Sequence, residues 1–363
     1  MIDRPKREDN NFDITRLCLA VFVYLGHYTW LFPKGPLPVG IVMFLAGEGG
    51  QRSVQAFFII SGFLMFQSFE RSGMTIAFLE KRIRRIIPGY VTVIVFSAIL
   101  GSWLSSVKLP EYFSLELIKY VFWNLLFLNF MHPTLPGLFE QSPTPYVNAP
   151  LWTLKIEVGF YLLFPLLYGI GRRVGFLTWF IVLYVFSTTY YVVMIELANK
   201  TGLNHYTVLA GQLPGQLRFF LAGALIASRH HIFAGTRPRA TLAVVASGVV
   251  GILYFGGLSS LYPALLASAL LSFCVAGPKL GSWLKYGDLS YGIYIVHFPV
   301  LQAIKSLGVL ENRQNLLFVV TTVSVLSLSA LLWHFVEGPA LRGRWIKKQV
   351  PVAVLAQNSP TYP

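Results

Sequence analysis

Four ionisable side chains interrupt stretches of sequence that are otherwise apolar: Arg16, His27, Glu157 and His297. If such stretches cross a membrane, each charged group within them costs about 2.5–3.5 kcal/mol, so these residues mark candidate sites. Imidazole and carboxyl groups are the usual general acids and bases, and guanidinium groups bind anions. These residue types in this setting indicate proton transfer or anion binding within a membrane.

His27 and Glu157 are the two residues best suited to acid–base chemistry. On a helix, His27 lies three turns from Arg16, about 16 Å along nearly the same face. Glu157 lies about two turns into its apolar stretch and points away from Lys155, so its carboxylate must be protonated or paired elsewhere. We expect His27 and Glu157 at similar depth, close enough to form an acid–base pair. The alternatives are a snorkelling anchor for Arg16 and a simple interhelical hydrogen bond for His27.

A basic cluster at Lys81, Arg82, Arg84 and Arg85 leads directly into another apolar stretch. Arg82 and Arg85 are three residues apart and share a helical face, where two guanidinium groups can hold phosphate oxygens. The alternative is a stop signal that binds lipid headgroups. Glu337 ends the last apolar stretch, from where it can pair with this cluster.

For two further residues a structural role is the favoured interpretation. His297 lies in the middle of an apolar stretch and close to Pro299, which frees a backbone carbonyl for hydrogen bonding. Ser61 precedes Gly62 within an aromatic stretch, and two small residues permit close helix packing.

The composition indicates the setting of all these residues. The chain has 363 residues, of which 55% are hydrophobic and only 12% charged, with a mean hydropathy of +0.61. Soluble domains carry about 25% charged residues, so a soluble enzyme, a disordered chain and a secreted disulfide scaffold are excluded. Cys18 and Cys274 are too isolated for a disulfide framework or a zinc site. The net charge of +14 does not indicate nucleic acid, because the basic residues lie between apolar stretches as topology determinants.

Long apolar stretches that are candidates for membrane spans occur at 14–33, 53–69, 86–106, 116–131, 151–170, 174–195, 214–228, 240–257, 261–276, 289–306 and 315–336. We predict an all-α, polytopic integral membrane protein with about ten transmembrane helices. The segment 116–131 is predicted as one interfacial or re-entrant helix, because a full span there would reverse the sidedness of every later loop. With this assignment about two-thirds of the Lys and Arg residues lie on one side, which the positive-inside rule makes cytoplasmic. Both termini are then cytoplasmic, in the plasma membrane or inner membrane.

The segments between the apolar stretches predict the domain organisation. The first thirteen residues are polar, and the apolar stretch behind them exceeds a signal-peptide core, so we expect a retained first span. The segment 132–150 has five prolines and no Lys or Arg, which predicts an irregular external loop. We expect one transmembrane domain at 1–340 and a short cytoplasmic tail at 341–363.

Six short motifs follow one another through nearly the whole chain. They are Arg16 with His27, Phe57-Phe58-x-x-Ser61-Gly62-Phe63, Phe78-x-x-x-Arg82-x-x-Arg85-Ile86-x-Pro88, Trp152-Thr153-Leu154-x-x-Glu157-x-x-Phe160-Tyr161, Ser290-Tyr291-x-x-Tyr294-x-x-His297-Phe298-Pro299, and Glu337-x-Pro339. In this order and spacing the chain resembles the membrane-bound acyltransferase family 3, whose members O-acetylate bacterial surface and secreted glycans. It departs at Thr153, where the family more often has Ser, and at Gly159, where a polar residue is usual. With no hydrolase-like domain behind the last span, it is similar to the stand-alone form.

The resemblance implies an O-acyltransferase that takes an acyl group, most often acetyl, from cytoplasmic acyl-coenzyme A. The implied acceptor is a carbohydrate or lipid-linked glycan at the outer face of the membrane, with no bound cofactor and no metal. By the same resemblance His27 and Glu157 are catalytic. His27 deprotonates the acceptor hydroxyl or carries the acyl group transiently, and Glu157 orients His27 or is itself the base.

The resemblance also implies a set of substrate-binding residues: Arg16, Ser61, Arg82, Arg85, Trp152, Tyr161, His297 and Glu337. The arginines would dock the phosphates of coenzyme A. Trp152 and Tyr161 would stack against a sugar ring, although aromatic residues at a membrane interface need no ligand.

Two other functions stay open at the level of the sequence. A transporter or glycan exporter would use the His, Glu and Arg side chains as a proton relay or substrate path. A lipid-linked sensor or scaffold would need no chemistry, but it leaves the carboxyl group of Glu157 unexplained.

Overall fold

The computed structural model describes residues 10–44, 49–72, 75–229, 244–246, 248–249, 251, 260–280 and 287–342. Over these ranges the chain is helical and contains no β-strand, which confirms the predicted all-α class. The helices before residue 150 are α1 (Phe12–Leu31), α2 (Val39–Phe44), α3 (Gly50–Ser72), α4 (Thr75–Leu104), α5 (Leu109–Tyr112) and α6 (Leu115–Leu125). A 3₁₀ turn at Ala149–Leu151 precedes α7 (Trp152–Val174), α8 (Phe176–Thr201), α9 (Asn204–Ala210) and α10 (Leu213–Ser228). The remaining helices are α11 (Tyr262–Ala276), α12 (Leu289–Ser306), α13 (Gln314–Leu332), a π-helical turn (Trp333–Glu337) and α14 (Gly338–Leu341).

Within the described residues, five helical segments are long and apolar enough to cross a membrane: Phe12–Leu31, Ile76–Leu104, Ala149–Val174, Phe176–Thr201 and Gln314–Leu341. At 1.5 Å per residue each reaches about 30 Å or more, the thickness of the hydrocarbon core. The protein is therefore a multi-pass membrane protein. The finer prediction of about ten spans is not confirmed. Most of the predicted span at 240–257, and residues 343–363 of the predicted tail, lie outside the described residues.

The segment predicted to lie at the interface forms the short helix α6. Its eleven residues extend about 16 Å, roughly half the thickness of the hydrocarbon core. The following segment, 126–148, is irregular, as predicted for most of the 132–150 loop. The loop is nevertheless fastened to α12, because the Asn148 side chain donates a hydrogen bond to the Ile295 carbonyl at 2.8 Å. Pro299 has no N–H for that carbonyl, so the proline frees the acceptor that Asn148 uses.

Two glycines bring α3 and α10 into direct backbone contact. A Cβ atom at Gly62 would lie 2.0 Å from the Phe220 carbonyl oxygen, and one at Gly223 would lie 2.0 Å from the Ile59 carbonyl oxygen. Any side chain at either position would overlap the neighbouring backbone. The small residues therefore fix the distance between the two helices and, with it, the position of Ser61 one residue earlier.

Helix α12 lies in the interior of the bundle. Most of its residues are buried, including the polar side chains of Ser290, His297 and Gln302. It packs against α1 on one side and α13 on another. This position brings the polar groups of α12 next to those of α1.

Candidate active site

The two histidines singled out in the sequence are hydrogen-bonded to each other. His27 Nδ1 on α1 lies 3.1 Å from His297 Nε2 on α12, and the ring centroids are 5.1 Å apart. Each ring also bonds to the carbonyl one turn earlier in its own helix. His27 Nδ1 is 3.0 Å from the Val23 carbonyl oxygen, and His297 Nδ1 is 2.9 Å from the Ile293 carbonyl oxygen.

These contacts assign the proton positions of the neutral pair. A carbonyl oxygen can only accept a hydrogen bond, so Nδ1 of each ring carries the proton. His297 Nε2 is then unprotonated and accepts from His27 Nδ1. The same logic leaves His27 Nε2 without a proton, and therefore as the basic nitrogen of the pair.

His27 lines a cavity of about 520 Å³, here called the histidine cavity. Its wall includes Trp30 from α1, Trp152 from the start of α7, and Thr144 and Tyr146 from the irregular loop. Trp30 and Tyr146 each expose nearly half of their surface, so the cavity has an aromatic rim. The predicted residue Trp152 is thus placed beside His27.

A second cavity of about 100 Å³, here called the arginine cavity, gathers six of the predicted site residues. These are Arg16, Ser61, Arg82, Arg85, Glu157 and Tyr161. They come from α1, α3, α4 and α7, so four helices converge on one small cationic space. His297 and Glu337 line neither of the two cavities.

Asp288 joins two of the arginines and was not singled out in the sequence. Its Oδ2 is 2.9 Å from Arg16 Nη1 and 2.6 Å from Arg85 Nη2. Its Oδ1 accepts from the backbone N–H and the hydroxyl of Ser290, so the residue also caps α12. Burial raises the pKa of the Asp288 carboxyl, but Arg16 and Arg85 outweigh it and hold that pKa below its usual range. The Asp-x-Ser pattern directly before an apolar helix is the signal that could have revealed the cap.

Glu157 does not have the hydrogen-bond partner that the sequence predicted, which was His27. Its Oε1 accepts hydrogen bonds from the Ser61 hydroxyl, at 3.1 Å, and from the Tyr161 hydroxyl one turn further along α7. Ser61 is therefore a polar partner of Glu157 as well as a small packing residue. No hydrogen bond joins Glu157 to His27 in the described part of the chain; His297 occupies the place beside His27 that we expected for Glu157.

Arg82 differs from the other two arginines of its cavity because it has no carboxylate partner among the described residues. Its guanidinium carbon lies 5.4 Å from the Phe78 ring centroid and 5.7 Å from that of Tyr161. Its Nε is buried without a hydrogen-bond partner. Glu337 does not form the expected ion pair with Arg82 or Arg85, and its buried Oε1 likewise accepts no hydrogen bond within the described residues.

The two cavities share part of their lining. Val54, Thr153 and Tyr294 border both of them, one residue from each of α3, α7 and α12. The arginine cavity and the histidine cavity are therefore neighbours across a thin wall of side chains.

Comparison with known proteins gives a consistent result. A family model described as "Acyltransferase domain" matches residues 9–334. Nodulation protein 10 of Rhizobium leguminosarum bv. viciae is 26% identical, over 92% of this chain and 94% of its own. The O-acetyl transferase of Shigella phage Sf6 is 25% identical, over 91% of this chain and 95% of its own. A putative peptidoglycan O-acetyltransferase of Bacillus subtilis (strain 168), YrhL, is 24% identical over 80% of this chain and 50% of its own. No solved structure gives a significant match.

Proposed function

Because the chain belongs to the acyltransferase family 3, we propose that it transfers an acyl group, foremost acetyl, from acyl-coenzyme A to a hydroxyl of a carbohydrate or lipid-linked glycan. The names of relatives in Shigella phage Sf6 and Bacillus subtilis support O-acetyl transfer, and the second name supports a glycan acceptor. The donor is inferred from the chemistry of the site.

One observation carries the proposal: a cationic cavity adjoins a cavity that contains a basic imidazole nitrogen. A phosphate-rich donor needs a cationic site to bind, and activation of a hydroxyl group needs a base. The shared wall of Val54, Thr153 and Tyr294 makes the two sites neighbours, as a transfer between two substrates requires.

In the arginine cavity, we assign the donor phosphates to Arg82, Arg85 and Arg16. Arg16 and Arg85 already share Asp288, whereas Arg82 has a free Nε and no carboxylate partner among the described residues. Arg82 is therefore the group with most to gain from a phosphate oxygen. Asp288 keeps the other two guanidinium groups aligned.

In the histidine cavity, His27 Nε2 removes the proton from the acceptor hydroxyl as its oxygen attacks the thioester carbon. The carbon–sulfur bond breaks, an ester bond forms, and the proton passes from His27 to the coenzyme A thiolate. In the alternative sequence, His27 Nε2 first takes the acyl group and releases coenzyme A as its thiolate. The acceptor hydroxyl then attacks that acyl group, its proton passes to the thiolate, and His27 leaves as neutral imidazole. In both, the charge that develops on His27 is stabilised through Nδ1–H by His297 Nε2 and the Val23 carbonyl.

We assign Glu157 to the organisation of the donor cavity. It holds the hydroxyl of Tyr161, and the ring of Tyr161 lies against Arg82, so Glu157 positions the phosphate-binding group through one intermediate residue. The rim residues Trp30, Tyr146 and Trp152 suit the face of a sugar ring.

The orientation in the membrane follows from charge. Arg82 and Arg85 lie in the first half of α4 and Arg16 in the first quarter of α1, near the basic segments that the positive-inside rule assigns to the cytoplasm. His27 is three turns further along α1. We therefore place the donor site towards the cytoplasm and the histidine cavity towards the outer face of the plasma or inner membrane, with both termini cytoplasmic.

The direct test is transfer of label. Membranes that contain the protein are supplied with acetyl-coenzyme A labelled in the acetyl group, and the glycan fraction is analysed for labelled ester by mass spectrometry. We expect labelled ester only when the protein is present. A glycan exporter would change the location of glycan without labelling it, and that result would reject the acyltransferase.

A further inference from the structure

Three residues line both cavities in the described structure: Val54, Thr153 and Tyr294. Thr153 and Tyr294 are buried, and Val54 is half-buried. Each residue comes from a different helix, so the boundary between the cavities depends on the packing of α3, α7 and α12. The wall is therefore part of the bundle and not of a loop.

Tyr294 is held at both ends. The Thr153 hydroxyl has one proton, which it donates to the Pro150 carbonyl at 3.0 Å, so its oxygen accepts from the Tyr294 hydroxyl at 2.6 Å. The ring of Tyr294 packs edge-on against Phe57, with centroids 5.8 Å apart. With phenol and ring both fixed, the side chain cannot move aside without losing a buried hydrogen bond.

We propose that Val54, Thr153 and Tyr294 form a constriction that selects acyl groups by their width. This inference rests on the proposed function. A donor whose phosphates lie at the arginines reaches His27 only past these residues, and it passes them with the acyl group first. The chain directly behind the acyl group is unbranched, so the opening needs the width of one unbranched chain.

The width and the length of the acyl group have different effects on its passage through the constriction. A branch next to the carbonyl adds width at the constriction, where Val54 and the fixed Tyr294 oppose it. Additional carbons in an unbranched chain add length only, and the histidine cavity of about 520 Å³ lies beyond to receive them. The constriction therefore favours unbranched acyl groups over branched ones of equal size.

Butyryl-coenzyme A and isobutyryl-coenzyme A provide the test, because their acyl groups have the same atoms and differ in branching. We expect the purified wild-type protein to use butyryl with a kcat/KM about 10-fold or more above that for isobutyryl. Val54→Ala removes two methyl groups from the wall and should reduce this ratio to about 3 or less. The matched control is Leu64→Ala in the same helix, which lines only the arginine cavity and should keep the wild-type ratio.

A second pair of variants tests the hydrogen bond between Thr153 and Tyr294, and it can be used even if Val54→Ala does not fold. Thr153→Val keeps the shape of the side chain but gives Tyr294 no acceptor, so the ring is released and the ratio should fall. Thr153→Ser keeps the acceptor oxygen and should discriminate more strongly than Thr153→Val. Both proteins are measured at equal abundance in the membrane.

Several results would overturn the constriction. They are equal use of butyryl and isobutyryl by the wild type, an unchanged ratio in both Val54→Ala and Thr153→Val, and transfer of acetyl with neither four-carbon group used, which would mean selection by length. In each of these cases acyl transfer itself is observed, so the proposed function stands. No transfer from acetyl-, butyryl- or isobutyryl-coenzyme A would overturn the proposed function, and the constriction with it.

Discussion

At the scale of single residues, the basicity of His27 depends on which of its ring nitrogens carries the proton. The carbonyls of Val23 and Ile293 place a proton on Nδ1 of both histidines, and His297 Nε2 accepts from His27. His27 therefore presents an unprotonated Nε2 for the acceptor hydroxyl. His297 is fully buried and lines neither cavity, so we assign it as a positioning residue that acts through His27.

Replacement of His297 tests this role. His297→Leu removes the acceptor of His27 Nδ1–H, whereas His297→Gln offers an amide oxygen at a similar distance from the backbone. A hydrogen bond to a charged group contributes about 1.5–3 kcal/mol, so His297→Leu should lower kcat about 10-fold or more. The KM for acetyl-coenzyme A should stay near the wild-type value, because the arginine cavity is untouched. Steady-state kinetics on purified protein measures both constants.

The two variants separate positioning from packing. His297→Gln should recover a substantial part of kcat, since it restores the acceptor. Equal losses in both variants, or an unchanged kcat in His297→Leu, would contradict the role assigned to His297.

The chemical role of these residues could be predicted from the sequence, but their hydrogen-bond partners could not. The residues of the arginine cavity could be found because charged groups and short motifs stand out in an apolar chain. The pairing of His27 with His297 could not be predicted, because it depends on how α1 and α12 are rotated against each other. A single sequence does not indicate which faces of two helices meet when the residues are 270 positions apart. Asp288 was missed because it lies just outside an apolar stretch. A carboxylate there has no obvious free-energy cost of membrane insertion, and that cost was the criterion that singled out the other ionisable residues.

At the scale of helices, the site depends on the contact between α3 and α10. Gly62 and Gly223 let the two backbones touch, and Ser61 and Val54 of α3 then reach the two cavities. Ser61 and Gly62, two small residues in an aromatic stretch, indicated close helix packing in the sequence. The identity of the partner helix could not be derived, since many helices of this chain have apolar faces.

A methyl group at Gly62 tests this contact. In Gly62→Ala the new Cβ would lie 2.0 Å from the Phe220 carbonyl oxygen, so α3 and α10 must separate. We expect destabilisation of about 1–3 kcal/mol and a lower melting temperature of the purified protein. The measurement is thermal unfolding in detergent.

Gly169→Ala is the control for that experiment. Gly169 lies inside α7, and a Cβ there would meet no atom within 4 Å. Alanine also favours a helix over glycine by about 0.5–1 kcal/mol, so this variant should melt at or above the wild-type temperature. A Gly62→Ala protein as stable as Gly169→Ala would contradict the close backbone contact.

At the scale of the whole molecule, the bundle divides the work between two neighbouring cavities. Arginines from α1 and α4 make one of them cationic, and His27 of α1, hydrogen-bonded to His297 of α12, makes the other basic. The all-α class and the multi-pass character could be predicted, because the chain contains several apolar stretches long enough to cross a membrane as helices. The separation into two cavities could not be predicted, since it follows from the packing of α3, α7 and α12 at Val54, Thr153 and Tyr294.

The division of donor binding and acyl transfer between the two cavities is tested by comparing coenzyme A binding with acetyl transfer in three variants at equal abundance in the membrane. Arg82→Ala should bind coenzyme A about 10-fold more weakly, because it loses a charge-assisted contact to phosphate. His27→Ala should bind coenzyme A as the wild type does and transfer no acetyl group. Arg84→Ala, whose guanidinium pairs with Glu80 and lines neither cavity, should change neither quantity. Acetyl transfer by His27→Ala at the wild-type rate would contradict the role of His27 as the base or the acyl carrier.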